Sequence, residues 1–513
     1  MNLLPTFTIT SFSIALLWLM SAFSGYIGYT YLLQLKEYRI DRLKGFFHSR
    51  EGHTFLLRPD QMLGSFFAFG VFTLFYDSKH IVLVVMSLLC LHILYTVYQI
   101  VITIKFRRPA FTAKALIIIF GSIALEALVL LFAQKINIIL IVFVFRVILL
   151  IIVTTILNGI TIFMKRQYIY RATKKLATYP NLTVVGITGS YGKSSVKEFL
   201  AHILKAKHTV VKTKGNINTE IGIARFILSH DFSKDDVFIC EMGAYCIGEI
   251  KVMCDMVKPT IGILTAINQQ HLALFGSIKN IQKTKYELLQ SIPKKGLVVT
   301  NADNPYCTEF LDTLTCKKIH TFGTDEDNNP DCLVTNIKAK LNGTSYEGTC
   351  LDKRGVLDTP VIGAHHAYNI AAAILVAVYL KIDKEQIIQR SKTLPKNIHG
   401  SLRVYTYGKA TIIDDSYNSN PTGFRAALDV FAKYPSEKKR IVITRGMLEL
   451  ADESAEIHEQ IGGEIAFVAD TLVVITENSY KALKRGVGNK YHTEMKRITN
   501  PQELLAYIKN LKQ

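Results

Sequence analysis

The pattern of hydrophobic positions divides the chain into two parts. Before residue 165, long apolar stretches alternate with short basic segments. Five stretches predict membrane-spanning helices: Phe7–Leu33, Met62–Tyr76, Ile81–Ile104, Ala113–Ala133 and Ile138–Met164. Most of them are long enough to cross a hydrocarbon core of about 30 Å, and the second is at the lower limit of length. The pattern therefore predicts a five-span transmembrane domain over residues 1–165.

The charges between these stretches predict the orientation of the domain. Lysine and arginine are concentrated after the first, third and fifth spans, whereas the alternate loops carry one lysine each. Basic loops stay on the cytoplasmic side of a membrane. We therefore expect the N-terminus outside, and everything after Met164 in the cytosol.

Two ionisable residues lie inside the predicted spans. Glu126 belongs to the fourth span and Arg146 to the fifth, at a similar depth. Charged side chains in hydrocarbon are costly and usually pair with one another. The sequence favours a structural ion pair between the two spans, and the alternative is a lipid-headgroup or substrate site.

After a linker at 166–180 the pattern changes to short β-branched runs that alternate with segments of helical period. Strands are predicted at Val237–Cys240, Ile261–Leu264 and Leu297–Thr300, and after Gly400 at Ala410–Ile413, Arg440–Thr444 and Thr471–Ile475. Such alternation is typical of α/β domains with a mostly parallel sheet. The predicted fold is thus an α-helical membrane part followed by two α/β domains, at 181–398 and 399–513.

Composition agrees with this division. Hydrophobic residues make up 49% of the chain and the mean hydropathy is +0.23, which is high for a soluble enzyme. The net charge of +19 fits basic cytoplasmic loops, and it argues little for nucleic acid because the basic residues form no stripe with aromatic residues between them. None of the eight cysteines forms a C-x-x-C pair, so we expect reduced thiols in a cytosolic domain.

The clearest chemical motif is the glycine-rich segment Gly186–Ser195, which lies between a predicted strand and a predicted helix. Such a turn forms a phosphate cradle, in which Lys193 would reach the phosphates and the Ser194 hydroxyl would bind Mg²⁺. Ile187 takes the place of the first glycine of G-x-x-x-x-G-K-S, so a chance glycine turn is the alternative. The residues predicted to hold the nucleotide here are Gly189, Ser190, Gly192, Lys193, Ser194 and Ser195.

Further polar motifs follow the predicted strands. Glu241 stands at the carboxyl end of one strand, where open α/β sheets bind ligands, and is a candidate Mg²⁺ ligand. A helix-capping or surface glutamate is the alternative. The segment Gly215–Gly222 opens a helix, Thr265–Leu272 comes directly after a strand, and Lys283–Glu287 lies on a later helix.

Taken in order, these motifs resemble the Mur ligase family, and within it the MurF branch, which joins D-Ala-D-Ala to a muramyl peptide. The resemblance covers about residues 180–500 and rests on GITGSYGKSS, GNINTEIG, EMGA followed by GEI, the FGS stretch, TKYE, NADNP, GAHHAYNIAAA, IDDSYNSNP and MLEL. It implies a P-loop central domain that binds ATP and a Rossmann-like C-terminal domain. It also implies a ligase of cell-envelope synthesis that activates a carboxylate as an acyl-phosphate, from which an amine displaces phosphate.

The resemblance implies roles for individual residues. Those implied in catalysis are Lys193, Lys285, His271 and Arg403. Those implied in holding Mg²⁺ are Ser194, Glu241, His271 and Lys285, the last after carbamylation. Asn369, Arg403 and Asp415 would bind ATP, and the substrate contacts would be Asn216, Asn218, Tyr417, Asn418 and Asn420. The alternatives are a satisfied structural histidine at 271, a surface lysine at 285 and an acidic turn that caps a helix at 414–415.

Three features depart from the MurF pattern. The membrane part stands where MurF enzymes have a soluble domain for the UDP-sugar, so we expect an acceptor that is lipid-linked or held at the membrane surface. Tyr245 and His366 stand where asparagine is common, and no late KGS-containing segment occurs. The expected partners are ATP, a carboxylate acceptor, an amino acid or dipeptide and membrane lipids. Two alternatives remain: a ligase for another amine, of polyglutamate or cyanophycin type, and a nucleotide-binding membrane scaffold without catalysis.

Overall fold

The computed structural model describes residues 9–35, 38–40, 43, 78–101, 108–133, 137–269, 272–351, 353–396, 402–416, 421–434, 437–447, 454–488 and 492–510. The chain divides into two compact units, Met1–Arg166 and Gln167–Gln513. We call them the N-terminal unit and the α/β unit.

Long apolar helices begin the chain: α1 (Ile9–Leu35), α2 (Ser78–Val101), α3 (Ala113–Ala133) and α4 (Asn137–Leu176). They coincide with four of the five predicted stretches, and the fifth, Met62–Tyr76, lies outside the described residues. Three described segments are long and apolar enough to cross a membrane: Phe12–Leu35, Ala113–Phe132 and Phe145–Leu176. The last helix continues into the predicted linker and ends in a basic turn. The described residues therefore carry at least three candidate membrane spans.

The predicted ion pair between Glu126 and Arg146 is confirmed. The guanidinium Nε and Nη2 of Arg146 lie 3.1 and 3.0 Å from the Glu126 carboxylate, and both side chains are almost fully buried. Trp18 Nε1 and Tyr26 OH donate to the same carboxylate at 2.7 and 2.8 Å, and Arg146 Nη1 donates to Ser21 Oγ at 2.9 Å. A buried charge pair with this many hydrogen bonds fits the structural role that the sequence favours.

The α/β unit is built on a nine-stranded sheet. Its strands are β1 (Thr183–Thr188), β2 (Val210–Lys212), β3 (Val237–Glu241), β4 (Ile261–Leu264), β5 (Leu297–Asn301), β6 (Ile319–Gly323), β7 (Cys332–Lys340), β8 (Gly343–Cys350) and β9 (Lys353–Thr359). Their order is β2-β3-β1-β4-β5-β6-β7-β8-β9. Pairing is parallel from β2 to β7 and antiparallel from β7 to β9. The predicted, mostly parallel α/β sheet is thereby confirmed.

Helices cover both faces of this sheet. They are α5 (Lys193–Leu204), α6 (Glu220–Ser229), α7 (Glu249–Val257), α8 (Leu272–Phe275), α9 (Ile278–Gln290), α10 (Pro305–Thr308), α11 (His366–Tyr379) and α12 (Lys384–Ser391). On one face of β1, Val185 and Ile187 pack in the core formed with α5 and α11. On the opposite face, Val184 packs in the core formed with α6, α7 and α9. Burial on both faces explains why the strands are continuous apolar runs.

A smaller α/β region follows Arg403. It contains the antiparallel pair β10 (Arg403–Tyr407) and β11 (Ala410–Asp414), and a parallel sheet of β12 (Ile441–Thr444), β13 (Thr471–Val474) and β14 (Glu494–Arg497). Its helices are α13 (Pro421–Ala432), α14 (Ser454–Val468), α15 (Glu477–Val487) and α16 (Pro501–Asn510). The three strands predicted for this region are all present, within two residues of their expected bounds.

One expectation about the cysteines is wrong. Cys332 and Cys350 are directly opposite each other on the antiparallel strands β7 and β8 and are joined in a disulfide, whereas the other six cysteines are free. The pairing follows from the register of the hairpin, which the spacing of cysteines in the sequence does not reveal.

Candidate functional site

The candidate site lies where several parallel strands end. In the sheet, β1 stands between β3 and β4. The strands β2 and β3 lie on one side of β1, and the chain then crosses to the other side to form β4. Ligands of open α/β sheets bind at the carboxyl edge near such a reversal of strand order. The glycine-rich loop follows β1, and Glu241 is the last residue of β3. The topology therefore brings the two strongest sequence motifs to one edge.

Two glycines allow the loop its shape. Gly192 caps α5 with a left-handed backbone, φ +82°, and Gly189 has φ +154°. A β-carbon on Gly189 would stand 1.9 Å from Thr265 Oγ1, and one on Gly192 would stand 2.5 Å from Asn369 Oδ1. Glycine is therefore required at both positions by close approach as well as by backbone conformation. The same distances show that Asn369, predicted to bind ATP, lies against the loop.

The loop is tied to the segment that follows β4. The main-chain N–H of Ser190 donates to the carbonyl of Ala266 at 2.7 Å, and the N–H of Asn268 donates to Ser190 Oγ at 3.1 Å. The hydroxyl of Thr265 also donates to the carbonyl of Tyr191. These bonds fix the loop before a ligand arrives, which is the preorganisation that a phosphate site needs.

Lys193 opens α5 and lies over the loop. Its Nζ donates to the carbonyls of Gly189 at 2.6 Å and Ser190 at 3.3 Å. Burial lowers the pKa of Lys193, and the negative charge of Glu241 acts in the opposite direction. The Lys193 amine is thus held by main-chain carbonyls at the place where the sequence predicts phosphate groups.

Glu241 is almost fully buried and is surrounded by hydrogen-bond donors. Ser194 Oγ and Lys197 Nζ each lie 2.9 Å from its Oε2, and Asn218 Nδ2 lies 3.2 Å from its Oε1. The main-chain carbonyl of Asn218 also accepts the N–H of Gly243 at 2.8 Å. The predicted metal ligands Ser194 and Glu241 are therefore in direct contact, together with the predicted substrate residue Asn218.

Lys285 lies on α9 and is 7% exposed. Burial lowers the pKa of Lys285 well below its usual value, and the positive charge of Lys193 lowers it further. The two lysines are therefore close enough to interact electrostatically. A surface lysine, the alternative that the sequence allowed, does not describe this position.

The remaining predicted residues include two from the C-terminal domain, Arg403 and Asp415. Arg403 pairs with Asp414 across the β10–β11 hairpin, with Nη2 2.5 Å from Oδ2. Burial, aided by the charge of Asp414, raises the pKa of Asp415 to about 7. Within the described part of the chain, neither Arg403 nor Asp415 has a hydrogen bond or ion pair to the glycine-rich loop. Asn216 is exposed, Ser195 is buried, and His271, Tyr417, Asn418 and Asn420 lie outside the described residues.

Two further residues of the site were not predicted from the sequence. Lys197 binds Glu241, as described above. Glu287, two residues after Lys285, accepts the main-chain N–H groups of Gly248 at 2.6 Å and Lys251 at 2.8 Å, and so anchors the start of α7. Lys197 comes two residues after the GITGSYGKSS motif, and Glu287 is the last residue of TKYE. The signal that could have found them is a charged residue on the buried face of a helix. That signal can be recognised only after the buried face of the helix is known.

The oxygen atoms of Ser194 and Glu241 fit Mg²⁺. This ion prefers oxygen ligands and is usually held by one or two carboxylates together with substrate phosphates. Among the described residues there is no group of three or more histidine, cysteine, aspartate and glutamate side chains that would form a closed metal cage. A single carboxylate beside a phosphate loop is the arrangement expected when the nucleotide supplies the other ligands.

Similar proteins identify the domains. Residues 187–377 match the Mur ligase middle domain, and residues 402–513 match the glutamate ligase domain of Mur ligases. The UDP-N-acetylmuramoyl-tripeptide–D-alanyl-D-alanine ligase of Synechocystis is 32% identical over 311 residues, which are 58% of this chain and 62% of that protein. The chain thus spans about three fifths of that relative's own length.

Solved structures share the fold. MurF from Acinetobacter baumannii is 24% identical with a TM-score of 0.61, and the match covers 68% of this chain and 74% of that chain. The MurF ligase of Thermotoga maritima in complex with ADP is 25% identical with a TM-score of 0.58, over 67% of this chain and 77% of that chain. In this chain a series of long apolar helices precedes the Mur ligase middle domain and the glutamate ligase domain. Because both of these domains are present, the chain belongs to the Mur ligase family.

Proposed function

We propose that this protein is a membrane-anchored, ATP- and Mg²⁺-dependent amide ligase of MurF type. It activates a carboxylate as an acyl-phosphate and joins it to an amino acid or dipeptide such as D-Ala-D-Ala. The observation that carries the proposal is the contact of Ser194 with Glu241 at the carboxyl edge of the sheet, beside Lys193. Phosphoryl transfer depends mainly on positioning and charge stabilisation, which such a cluster supplies.

The chain's own residues suggest how the reaction proceeds. The N–H groups of the loop and the first turn of α5 would face the phosphates of ATP, and Lys193 would exchange the loop carbonyls for the γ-phosphate. Ser194 and Glu241 would hold Mg²⁺, which when bound shields the negative charge of the phosphates. Asn369, which lies against Gly192, would help to fix the nucleotide.

Two bond exchanges complete the proposed cycle. A carboxylate oxygen of the acceptor attacks the γ-phosphorus, the bond to the bridging oxygen breaks, and ADP leaves. The amine nitrogen then attacks the carbonyl carbon of the acyl-phosphate, phosphate leaves with the former carboxylate oxygen, and the nitrogen loses a proton. Arg403 and Asp415 would enter the site as the C-terminal domain closes over ATP, which would also exclude water from the acyl-phosphate.

We assign Lys285 to the site as a carbamylated residue. Its buried amine is favoured in the neutral form, which adds to CO₂ and releases one proton. The resulting carbamate is an anion beside the cation of Lys193 and a candidate metal ligand together with His271. Removal of dissolved bicarbonate should slow the enzyme and its return should restore the rate. A rate that does not depend on bicarbonate, with no carbamate signal by NMR, would exclude this part of the proposal.

We also propose that the acceptor is lipid-linked and that the α/β unit lies in the cytosol. The support is the series of apolar helices that precedes the ligase domains, together with the basic loops between them. Tyr245, 47% exposed, stands where the soluble enzymes commonly have asparagine and fits a changed acceptor. Matched UDP-linked and lipid-linked muramyl peptides, presented to the protein in vesicles, should differ in turnover in favour of the lipid-linked form.

The function is tested by product analysis. Full-length protein in detergent or vesicles is incubated with ATP, both acceptors and a panel of amines that includes D-Ala-D-Ala, glutamate, aspartate and arginine, and the products are identified by mass spectrometry. An ATP-dependent amide is expected, and the amine that it contains decides between MurF, polyglutamate and cyanophycin types. Lys193→Met and Lys285→Ala should abolish the product. Nucleotide binding without a product from any combination would favour the non-catalytic scaffold.

A further inference from the structure

A second lysine of the site has no place in the scheme above. Lys197 follows Lys193 by one helical turn and is 1% exposed. Lysine is almost never fully buried unless it is paired, because taking an ammonium out of water is costly. Its Nζ lies 2.9 Å from Glu241 Oε2 and 2.7 Å from the carbonyl oxygen of Gly215. The side chain is therefore anchored at two points, on two different segments.

These two points belong to different parts of the proposed site. Glu241 ends β3 and is the candidate metal ligand. Gly215 lies in the loop between β2 and α6, and the same loop carries Asn218, whose amide donates to the other oxygen of the Glu241 carboxylate. Lys197 on one oxygen and Asn218 on the other thus fix the plane of the carboxylate, and Lys197 fixes the loop that holds Asn218.

The charge of Lys197 indicates positioning rather than attraction. An ammonium 2.9 Å from a metal ligand repels an incoming divalent cation, so its presence is unfavourable for metal binding unless it supplies something else. Groups that hold the ligands of a metal typically change its affinity by about 10- to 100-fold when they are removed. Loss of positioning would weaken metal binding, whereas loss of the repelling charge would strengthen it. The change in metal affinity on removal of Lys197 therefore separates the two effects.

We propose that Lys197 is a positioning residue that sets Glu241 and the Gly215–Asn218 loop in one geometry, so that the metal ligand and the substrate loop are ordered together. The inference rests on the proposed function. It predicts that removal of Lys197 weakens binding of a divalent cation, although a positive charge is lost. It also predicts that Lys197→Met and Asn218→Ala are not additive, because both side chains orient the same carboxylate.

The test uses Mn²⁺ as the probe, titrated by electron paramagnetic resonance onto the full-length protein in detergent, with and without an unreactive ATP analogue. Lys197→Met should raise the Kd for Mn²⁺ by at least about tenfold, while metal-free binding of the analogue changes by less than about twofold. The matched control is Lys212→Met, because Lys212 lies on the neighbouring β2, pairs with Glu198 and is about one third exposed. The control should bind Mn²⁺ like the wild type.

An equal or lower Kd for Mn²⁺ in Lys197→Met would overturn the proposal, since Lys197 would then only balance the charge of Glu241. If Lys197→Met does not fold, Lys197→Arg decides. It keeps the charge but places a planar, longer head in an enclosed site, so a several-fold higher Kd is expected and an unchanged Kd refutes the role. Ligation by the wild type is measured separately, so loss of the ligase hypothesis and loss of the positioning role give different results.

Discussion

Gly192 and Gly248 offer a matched pair of substitutions that tests the geometry of the phosphate loop. Both glycines cap a helix with a left-handed backbone, φ +82° and ψ −15° at Gly192, and φ +93° and ψ −17° at Gly248. They differ in their surroundings. A β-carbon on Gly192 would stand 2.5 Å from Asn369 Oδ1, whereas nothing lies within 4 Å of one on Gly248.

The backbone term should be the same for both alanine variants. A left-handed residue other than glycine costs about 1–2 kcal/mol. At about 2–4 °C per kcal/mol for a domain of this size, Tm should fall by about 2–8 °C in each variant. Calorimetry of the full-length protein is the suitable assay, because the only tryptophan, Trp18, is in the N-terminal unit.

Only Gly192→Ala should also weaken nucleotide binding. The new methyl group forces Asn369 away from the loop, at about 0.5–1.5 kcal/mol for a strained side chain and about 1 kcal/mol for a lost hydrogen bond to the ligand. The lost hydrogen bond corresponds to a loss of about fivefold in affinity for an ATP analogue. The side-chain strain is present with and without the ligand, so it adds to the fall in Tm of Gly192→Ala. Wild-type affinity in Gly192→Ala, or an equal loss in Gly248→Ala, would refute the placement of Asn369 beside the phosphates.

Three further variants test other parts of the structure. Glu287→Gln should lose about 1.5–3 kcal/mol of stability in chemical denaturation, because the carboxylate accepts two main-chain N–H groups. The control Glu198→Gln, at a half-buried position that loses one ion pair with Lys212, should change it by less than about 1 kcal/mol. Glu126→Gln leaves Arg146 buried without its counter-ion and should destabilise the N-terminal unit in detergent by about 3–5 kcal/mol. Burial lowers the pKa of His366 well below 6.5, so the stability due to its neutral form is present above about pH 6.5 and is lost as the pH falls. His366→Asn should therefore reduce the fall of Tm with decreasing pH below about 6.5. A fall of Tm equal to that of the wild type would contradict this prediction.

Much of the fold could be predicted because its signals are local. The spans follow from long apolar runs, and strands such as β4 and β5 are short runs buried on both faces, which β-branched residues mark clearly. The junction of Lys193, Ser194 and Glu241 could also be predicted, since the loop and the glutamate both follow strands of a parallel sheet. Parallel strands place their carboxyl ends at one edge whatever their order.

The rest depends on long-range contacts that periodicity does not contain. Lys197 lies on a helix that the sequence predicts, and only the packing of α5 against β3 shows that it is buried on Glu241. Cys332 and Cys350 meet because of a hairpin register. Arg403 was assigned to ATP by resemblance, whereas its described partner is Asp414, across its own hairpin. A role that requires two domains to close is not visible in the local pattern of either one.

The central claim, that a carboxylate is activated by ATP as an acyl-phosphate, is tested most directly by oxygen transfer. The acceptor carboxylate is labelled with the heavy isotope of oxygen, and the phosphate released during ligation is examined by mass spectrometry. The account predicts one labelled oxygen in each phosphate for each amide formed. Amide formation that releases only unlabelled phosphate would contradict it.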